Sequence, residues 1–255
     1  EQFQSLLAIP LEAKGKTQGV LIVFNRSPLY PSPDLNEFLT NIGGQLAIAI
    51  DNIGMFEELN RSHLELTMAY DTTIEGWAQA LELRDQETEG HARRVADLTI
   101  RLARALDVPA EQLVHIRRGA ILHDIGKMGI PDQILLKPGP LTMEEREIMK
   151  KHPIYARQLL LPIKYLHPAI DIPYCHHERW DGTGYPQGLK GEQIPLAARI
   201  FAVIDVWDAL ISDRPYRSAW PEEKALNYIR EQAGHHFDPR VVEKFLELLL
   251  ELEKE

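Results

Sequence analysis

A chain of 255 residues has room for one large domain or two ordinary ones. Its formal net charge of −10, from 38 acidic against 28 basic side chains, excludes non-specific binding to nucleic acid or to an anionic membrane as its main role. The lone cysteine, Cys175, excludes an internal disulfide framework and fits a reducing cytoplasm, and the sequence carries neither a transmembrane-length apolar run nor a signal pattern.

In chain order, residues 3–11 read as a strand, Lys14-Gly15-Lys16 as a turn and residues 19–24 as a second strand, which together predict an antiparallel hairpin. Asp34 begins a helix in which Leu35, Phe38, Leu39, Ile42, Leu46, Ala49 and Ile53 keep helical spacing. Gly43 and Gly44 weaken it locally and admit close approach of another backbone. Two strands and one helix bury too little to form a core alone, so this stretch reads as part of a domain. From Ile42 to about Leu83 there is no proline, and one long helix is expected. Leu59, Leu66, Tyr70, Thr73 and Trp77 follow a heptad-like spacing along it. Asn60, His63 and Thr73 in that seam favour a connecting helix in a dimer over a leucine-type coil.

The remainder reads as helical. Residues 88–106 are amphipathic through Val95, Leu98, Leu102 and Ala105. Asp107 is placed as the cap of the next helix, with Pro109 near its first turn; that helix runs through Leu113, Ile116 and Ala120 towards His123. Thr142 to Glu145 is a capping box opening a helix that His152-Pro153 ends. Residues 196–210 form a strongly apolar helix. Pro221 opens another that Gly234 terminates, and Asp238-Pro239 caps the last, which ends in an acidic, solvated run.

Chemistry concentrates in two runs, His123-Asp124-Ile125-Gly126-Lys127 and His176-His177 with the turn Gly182-Thr183-Gly184-Tyr185-Pro186. Imidazole with carboxylate is a ligand mix for iron, manganese or zinc. On a helix, Lys127 shares a face with His123, Glu87 with His91, and Asp205 with Asp208. Asp205 stands in Phe-Ala-Val-Ile-Asp-Val-Trp, where an uncompensated carboxylate is costly and a metal is a fitting partner.

These runs carry a family resemblance. "LRDQETEGHARRVA", "GAILHDIGKMGIPDQIL", "MKKHP", "HHERWDGTGYP", "RIFAVIDVWDALISDRPYR" and "FDPRVVEKF" resemble the HD-GYP domain, a branch of the HD phosphohydrolase superfamily. "LLAIPLEAKGKTQGVLIVFN" and "GGQLAIAIDNIGMFEEL" resemble the C-terminal half of a GAF domain. The resemblance implies a mainly α chain: part of an α+β GAF-like domain at 1–55, a connecting helix at 56–75 and an all-helical HD-type domain at 76–255. It implies that His91, His123, Asp124 and Asp205 are the general HD ligands. His152, His176 and His177 are the extra histidines of the branch, and Glu87 is a carboxylate for a third ion. Two or three divalent ions, iron or manganese, are thus expected, with Asp124 bridging two of them.

Two such ions activate a hydroxide and clamp a phosphodiester for in-line displacement, with Asp124 and Lys127 as the catalytic pair. Arg214 and Arg217 suit bidentate phosphate binding, although Arg217 also fits as a helix cap. Tyr185 either stacks on a purine or bonds a phosphate, and Asp208 either bonds a guanine edge or orients Arg214. The implied reaction is hydrolysis of cyclic di-GMP to pGpG and then GMP. The alternatives are another cyclic dinucleotide, such as cyclic GMP-AMP, and a non-catalytic sensor, which has no need of so complete a ligand set. A cytoplasmic homodimer held through the connecting helix, with protein partners reaching the Gly-Tyr-Pro segment, completes the expectation. The remaining five histidines (His63, His115, His167, His235, His236) and Cys175 are expected to be structural.

Overall fold

The computed structural model describes residues 2–85, 90–213 and 218–252, and the chain divides into two compact units, Glu1–Tyr70 and Asp71–Glu255. Its described part is mainly α, with ten α-helices and one two-stranded sheet.

In the first unit, strands β1 (Ser5–Ala13) and β2 (Lys16–Asn25) pair antiparallel with Ile9 opposite Leu21. Lys14 and Gly15 connect them at φ 51° and 75°, as a two-residue hairpin loop with primed-turn twist requires. Alternation along β1 buries Ile9, Leu11 and Ala13. Helix α1 (Pro33–Asp85) is 53 residues long. It starts one residue earlier than expected, because the Ser32 hydroxyl accepts a hydrogen bond from the Leu35 amide at 3.2 Å and so supplies the cap. Of the two glycines, only Gly43 meets the hairpin: a Cβ there would lie 2.9 Å from Ile9 Cγ2, whereas one on Gly44 meets nothing within 4 Å. The boundary between the units and the whole of segment 56–75 fall inside α1. Ile53, Phe56, Leu59, Leu66 and Tyr70 are exposed along it.

In the second unit, α2 (His91–Ala105) packs on α3 (Ala110–Ile121). A 3-10 turn at Ile125–Gly129 leads to α4 (Asp132–Leu135), α5 (Met143–Met149) and α6 (His152–Leu160). Then come α7 (Asp171–Cys175), α8 (Leu196–Ile211), α9 (Glu222–Glu231) and α10 (Pro239–Leu252). Ile200, Phe201, Val203 and Ile204, on successive faces of α8, are all fully buried, so α8 is the central element. Each such side chain contributes roughly 1.5–3 kcal/mol by leaving water. Helices α2, α7, α9 and α10 pack around α8, and Trp207 meets Phe245 of α10 edge to face at 5.4 Å.

Three local expectations are corrected. Asp107 closes α2 instead of opening α3. With φ 56° its amide donates to Arg104 O, and the Val108 amide reaches back to Ala103 O. That is a Schellman closure, in which a short polar side chain tolerates the left-handed conformation. Helix α5 does begin at the Thr142–Glu145 capping box, with bonds of 3.3 and 2.7 Å, but it ends at Met149. His152-Pro153 therefore opens α6, where a proline in the first turn has no hydrogen bond to lose. Helix α2 is described from His91, after Gly90 at φ 74°; residues 88 and 89 of the expected helix lie outside the described residues. Asp238 caps α10 as expected, accepting from the Arg240 amide at 2.9 Å. Its second oxygen takes Arg199 Nη1 at 2.6 Å, a buried ion pair joining α8 to α10.

Candidate metal centre

Helix ends deliver most of the candidate ligands. His91 is the first residue of α2 and His152 the first of α6. His123-Asp124 follows α3, His176-His177 follows α7, and Asp205 comes from α8. In space they form two groups of donor atoms, each within 4.8 Å of one another: Asp124, His152, His176 and His177 in one, His91, His123 and Asp205 in the other. Asp124 joins them. Its Oδ2 is 3.1 Å from His123 Nε2, while its Oδ1 is 3.2 Å from His152 Nε2 and 3.7 Å from His176 Nε2.

Four of the imidazoles are fixed from behind. His123 Nδ1 lies 2.9 Å from Ala120 O, His152 Nδ1 2.8 Å from Met149 O, and His176 Nδ1 3.0 Å from Ile172 O. A carbonyl only accepts, so each Nδ1 carries the proton and each Nε2 turns a lone pair inward. His91 Nδ1 is held the same way by a carboxylate, Asp208 Oδ2, at 2.6 Å. His152 Nε2 and His176 Nε2 come within 3.4 Å of each other, in a site where both rings are buried. Two lone pairs at that separation repel unless a cation lies between them, so the donor set fits divalent metal.

The charge states agree. Burial by itself raises the Asp124 carboxyl, but the Lys127 ammonium beside it leads the groups that hold it well below the usual carboxylate range. Burial, with the neighbouring imidazoles, pushes His177 well below its ordinary value. Burial also lowers His176, against the pull of Asp124. A carboxylate among neutral imidazoles is the ligand form of all these groups.

Lys127 reaches the site by a 3-10 turn, not by the helical spacing expected, and it faces Asp124 rather than His123. Its Nζ lies 2.7 Å from Asp124 Oδ2 and 3.1 Å from Asp85 Oδ2. Asp85, at the end of α1, and its neighbour Arg84 are absent from the expected site. The Arg84 guanidinium donates to Lys127 O, Met128 O and Ile130 O, and to Asp132, at 2.7–3.2 Å, so it fixes the backbone of the turn that carries Lys127. The available sequence signal was a charged pair closing the long stretch without proline. The Tyr185 ring lies 4.8 Å from the His177 ring, with Lys150 Nζ 5.9 Å above it, and burial raises its hydroxyl. Asp208 engages His91 and, at 3.3 Å, Arg94 Nε, two partners the sequence did not announce. Glu87, Arg214 and Arg217 lie outside the described residues.

The loop after His177 folds back tightly. A Cβ on Gly184 would lie 2.3 Å from the Arg179 amide, so only glycine fits there. Buried Glu178, also unforeseen, accepts from the Gln187 and Leu189 amides at 2.7 and 2.9 Å and closes the loop. Cys175 packs with Ile194 and Ala198, and burial, Asp171 and Glu178 push its thiol up to about 12. It is a packing residue, as expected.

Trp180 and Asp181 donate their amides to His236 O and His235 O, tying the same loop to the turn before α10. His236 stacks on Phe237, and burial with Arg179 lowers its imidazole to about 4. An imidazole depressed in the folded chain leaves stability intact above pH 6.5 and erodes it as pH falls towards 4, because the unfolded chain takes the proton first. The loss at pH 5 is on the order of 2 kcal/mol. His236→Phe, which keeps the stack, is expected to lower the melting temperature less between pH 7 and pH 5 than the parent. Parallel melting curves would refute it.

Residues 76–241 match the family model described as HD domain. A curated Vibrio cholerae protein named "Cyclic di-GMP phosphodiesterase" is 40% identical over 246 residues, covering 90% of this chain and 47% of its own length. The "3'3'-cGAMP-specific phosphodiesterase 2" of that organism is 38% identical over 215 residues, covering 84% of this chain and 39% of its own length. In fold, the chain is similar to the solved structure of Bd1817, an HDG"Y"P protein from Bdellovibrio bacteriovorus. The TM-score is 0.52 at 24% identity, over 62% of this chain and 51% of that one. The chain spans about half the length of these curated relatives and of others named cyclic di-GMP phosphodiesterases that it matches. Among the described residues no helix is long and apolar enough to cross a membrane.

Proposed function

The chain belongs to the HD domain family, and from that premise we propose that residues 76–255 are a metal-dependent phosphodiesterase hydrolysing cyclic di-GMP to pGpG and/or GMP. The observation that carries the reading is Asp124, one oxygen towards each of two groups of inward-turned imidazoles. Divalent ions held there would lower the pKa of a water and polarise a phosphodiester. We take iron or manganese as the ions, because imidazole with carboxylate suits both.

The chain's own residues have distinct tasks. Lys127 offsets the charge of Asp124 and stands ready for the phosphate or the departing oxygen. Tyr185 covers His177 and offers a ring to a base. Arg214 and Arg217 hold phosphate, and Glu87 holds a third ion. Residues 1–55 are read as the C-terminal part of a GAF-like domain. The apolar residues exposed along α1 support 56–75 as the dimer contact. The Gly-Tyr-Pro segment is the face for protein partners, and the single cysteine supports a cytoplasmic place.

A second reading, cyclic GMP-AMP as substrate, is favoured by the relative of that specificity. The test is purification without added metal, metal analysis per chain, and turnover of both dinucleotides followed by product chromatography. Two or more ions with faster release of pGpG or GMP from cyclic di-GMP is expected. Faster cleavage of cyclic GMP-AMP selects the second reading, and a metal-free chain inactive on both ends the proposal.

A further inference from the structure

The two ligand groups are backed differently. In the group with His152 and His176, the imidazole protons rest on neutral backbone carbonyls. In the other group His123 is backed by a carbonyl too, but the His91 proton rests on a carboxylate, Asp208 Oδ2, at 2.6 Å, and Asp208 Oδ1 in turn accepts from Arg94 Nε at 3.3 Å. His91 and Asp208 are both buried, while Arg94 is half exposed. The groups also differ in their number of imidazoles. Beside the shared Asp124, one offers three imidazoles; the other offers only two, His91 and His123, with the carboxylate of Asp205, whose Oδ1 is 3.8 Å from His91 Nε2.

Resting on the metal-centre reading above, we propose that the two sites are unequal and that Asp208, oriented by Arg94, is the positioning residue that makes the weaker His91 site competent. A carboxylate behind an imidazole fixes its tautomer and raises the basicity of the opposite nitrogen. That help matters most where fewer imidazoles share the ion. Asp205 and Asp208 stand three residues apart on α8, so one helix face supplies both a ligand and the support for its neighbour. Asp208→Asn removes the charge at nearly constant volume. Its amide either accepts more weakly from Nδ1–H or presents its NH2 to Nδ1. The second arrangement moves the imidazole proton to Nε2, where it blocks ligation.

The experiment is Mn2+ titration, by calorimetry, of the whole chain stripped with a chelator. The parent is expected to bind two ions with separable affinities. Asp208→Asn should weaken the second by about 10–100-fold and leave the first unchanged. Arg94→Gln, at a half-exposed position that spares the fold, should weaken the same ion by a smaller factor. A role confined to folding would lower the melting temperature without this selective shift. Two ions in the parent with both events unchanged in the variants, or both weakened alike, overturns the inference alone. Fewer than two ions in the parent overturns the metal-centre reading beneath it.

Discussion

Asp124→Ala is expected to empty both metal groups and to abolish turnover while leaving the helical unit folded. Among the described residues, Asp124 is the side chain that faces both groups, through Oδ1 on one side and Oδ2 on the other. Without it, the four imidazoles whose Nδ1 atoms are held by protein acceptors keep their orientation but lose the nearby negative charge that offsets a divalent ion. The fold has little reason to fail, because Lys127 keeps Asp85 as a partner and the apolar core around α8 does not involve Asp124. The loss should therefore appear in metals per chain and in rate, each at least 100-fold in the unfavourable direction, a larger effect than removal of a supporting group. Metal content and rate equal to the parent's would sink the assignment.

Gly126→Ala is expected to be the most disruptive single methyl group in the second unit. A Cβ at this position would lie 1.9 Å from His152 O and 2.5 Å from Ala156 N. Both are backbone atoms of α6, so no rotamer change relieves the overlap. The turn carrying Asp124 and Lys127 must then separate from the helix carrying His152, and the ligand group that spans them opens. A loss of about 3 kcal/mol is expected, at the upper end for overpacking. Weakened metal binding should persist in whatever protein still folds. Gly76→Ala, where nothing lies within 4 Å of the added carbon, serves as the control. In the middle of a helix it is expected to stabilise by roughly 0.5–1 kcal/mol. Equal melting temperatures for the two variants would show that the contact at Gly126 does not matter.

Much of the site was legible because its residues announce themselves locally. His123-Asp124 and His176-His177 are adjacent pairs of ligand-type side chains, and Asp205 interrupts a run that otherwise belongs in a core. The hairpin was legible through period-two alternation and a two-residue turn, and long α1 through the lack of proline. What stayed hidden is what supports the site from a distance in sequence. Asp208 backs His91 across 117 residues, and Asp85 meets Lys127 across 42. No local pattern encodes such pairs, since an acidic residue on a helix face looks alike whether it meets water or an imidazole. Asp107 shows the other limit: the same short side chain that caps a helix start also tolerates the left-handed turn at a helix end. Only the packing of Val108 beneath the core decides between them.

Cys175 gives the chain a practical property. It is the only cysteine, it is buried, and its thiol is pushed up to about 12, so at neutral pH almost none of it is thiolate. The parent sequence is therefore a silent background for maleimide or spin labelling, with no need to remove a native thiol first. A cysteine introduced at exposed Lys151, next to His152, would take a probe there and nowhere else. Spectroscopic signals from such a probe would report on the mouth of the metal centre alone, in otherwise native protein.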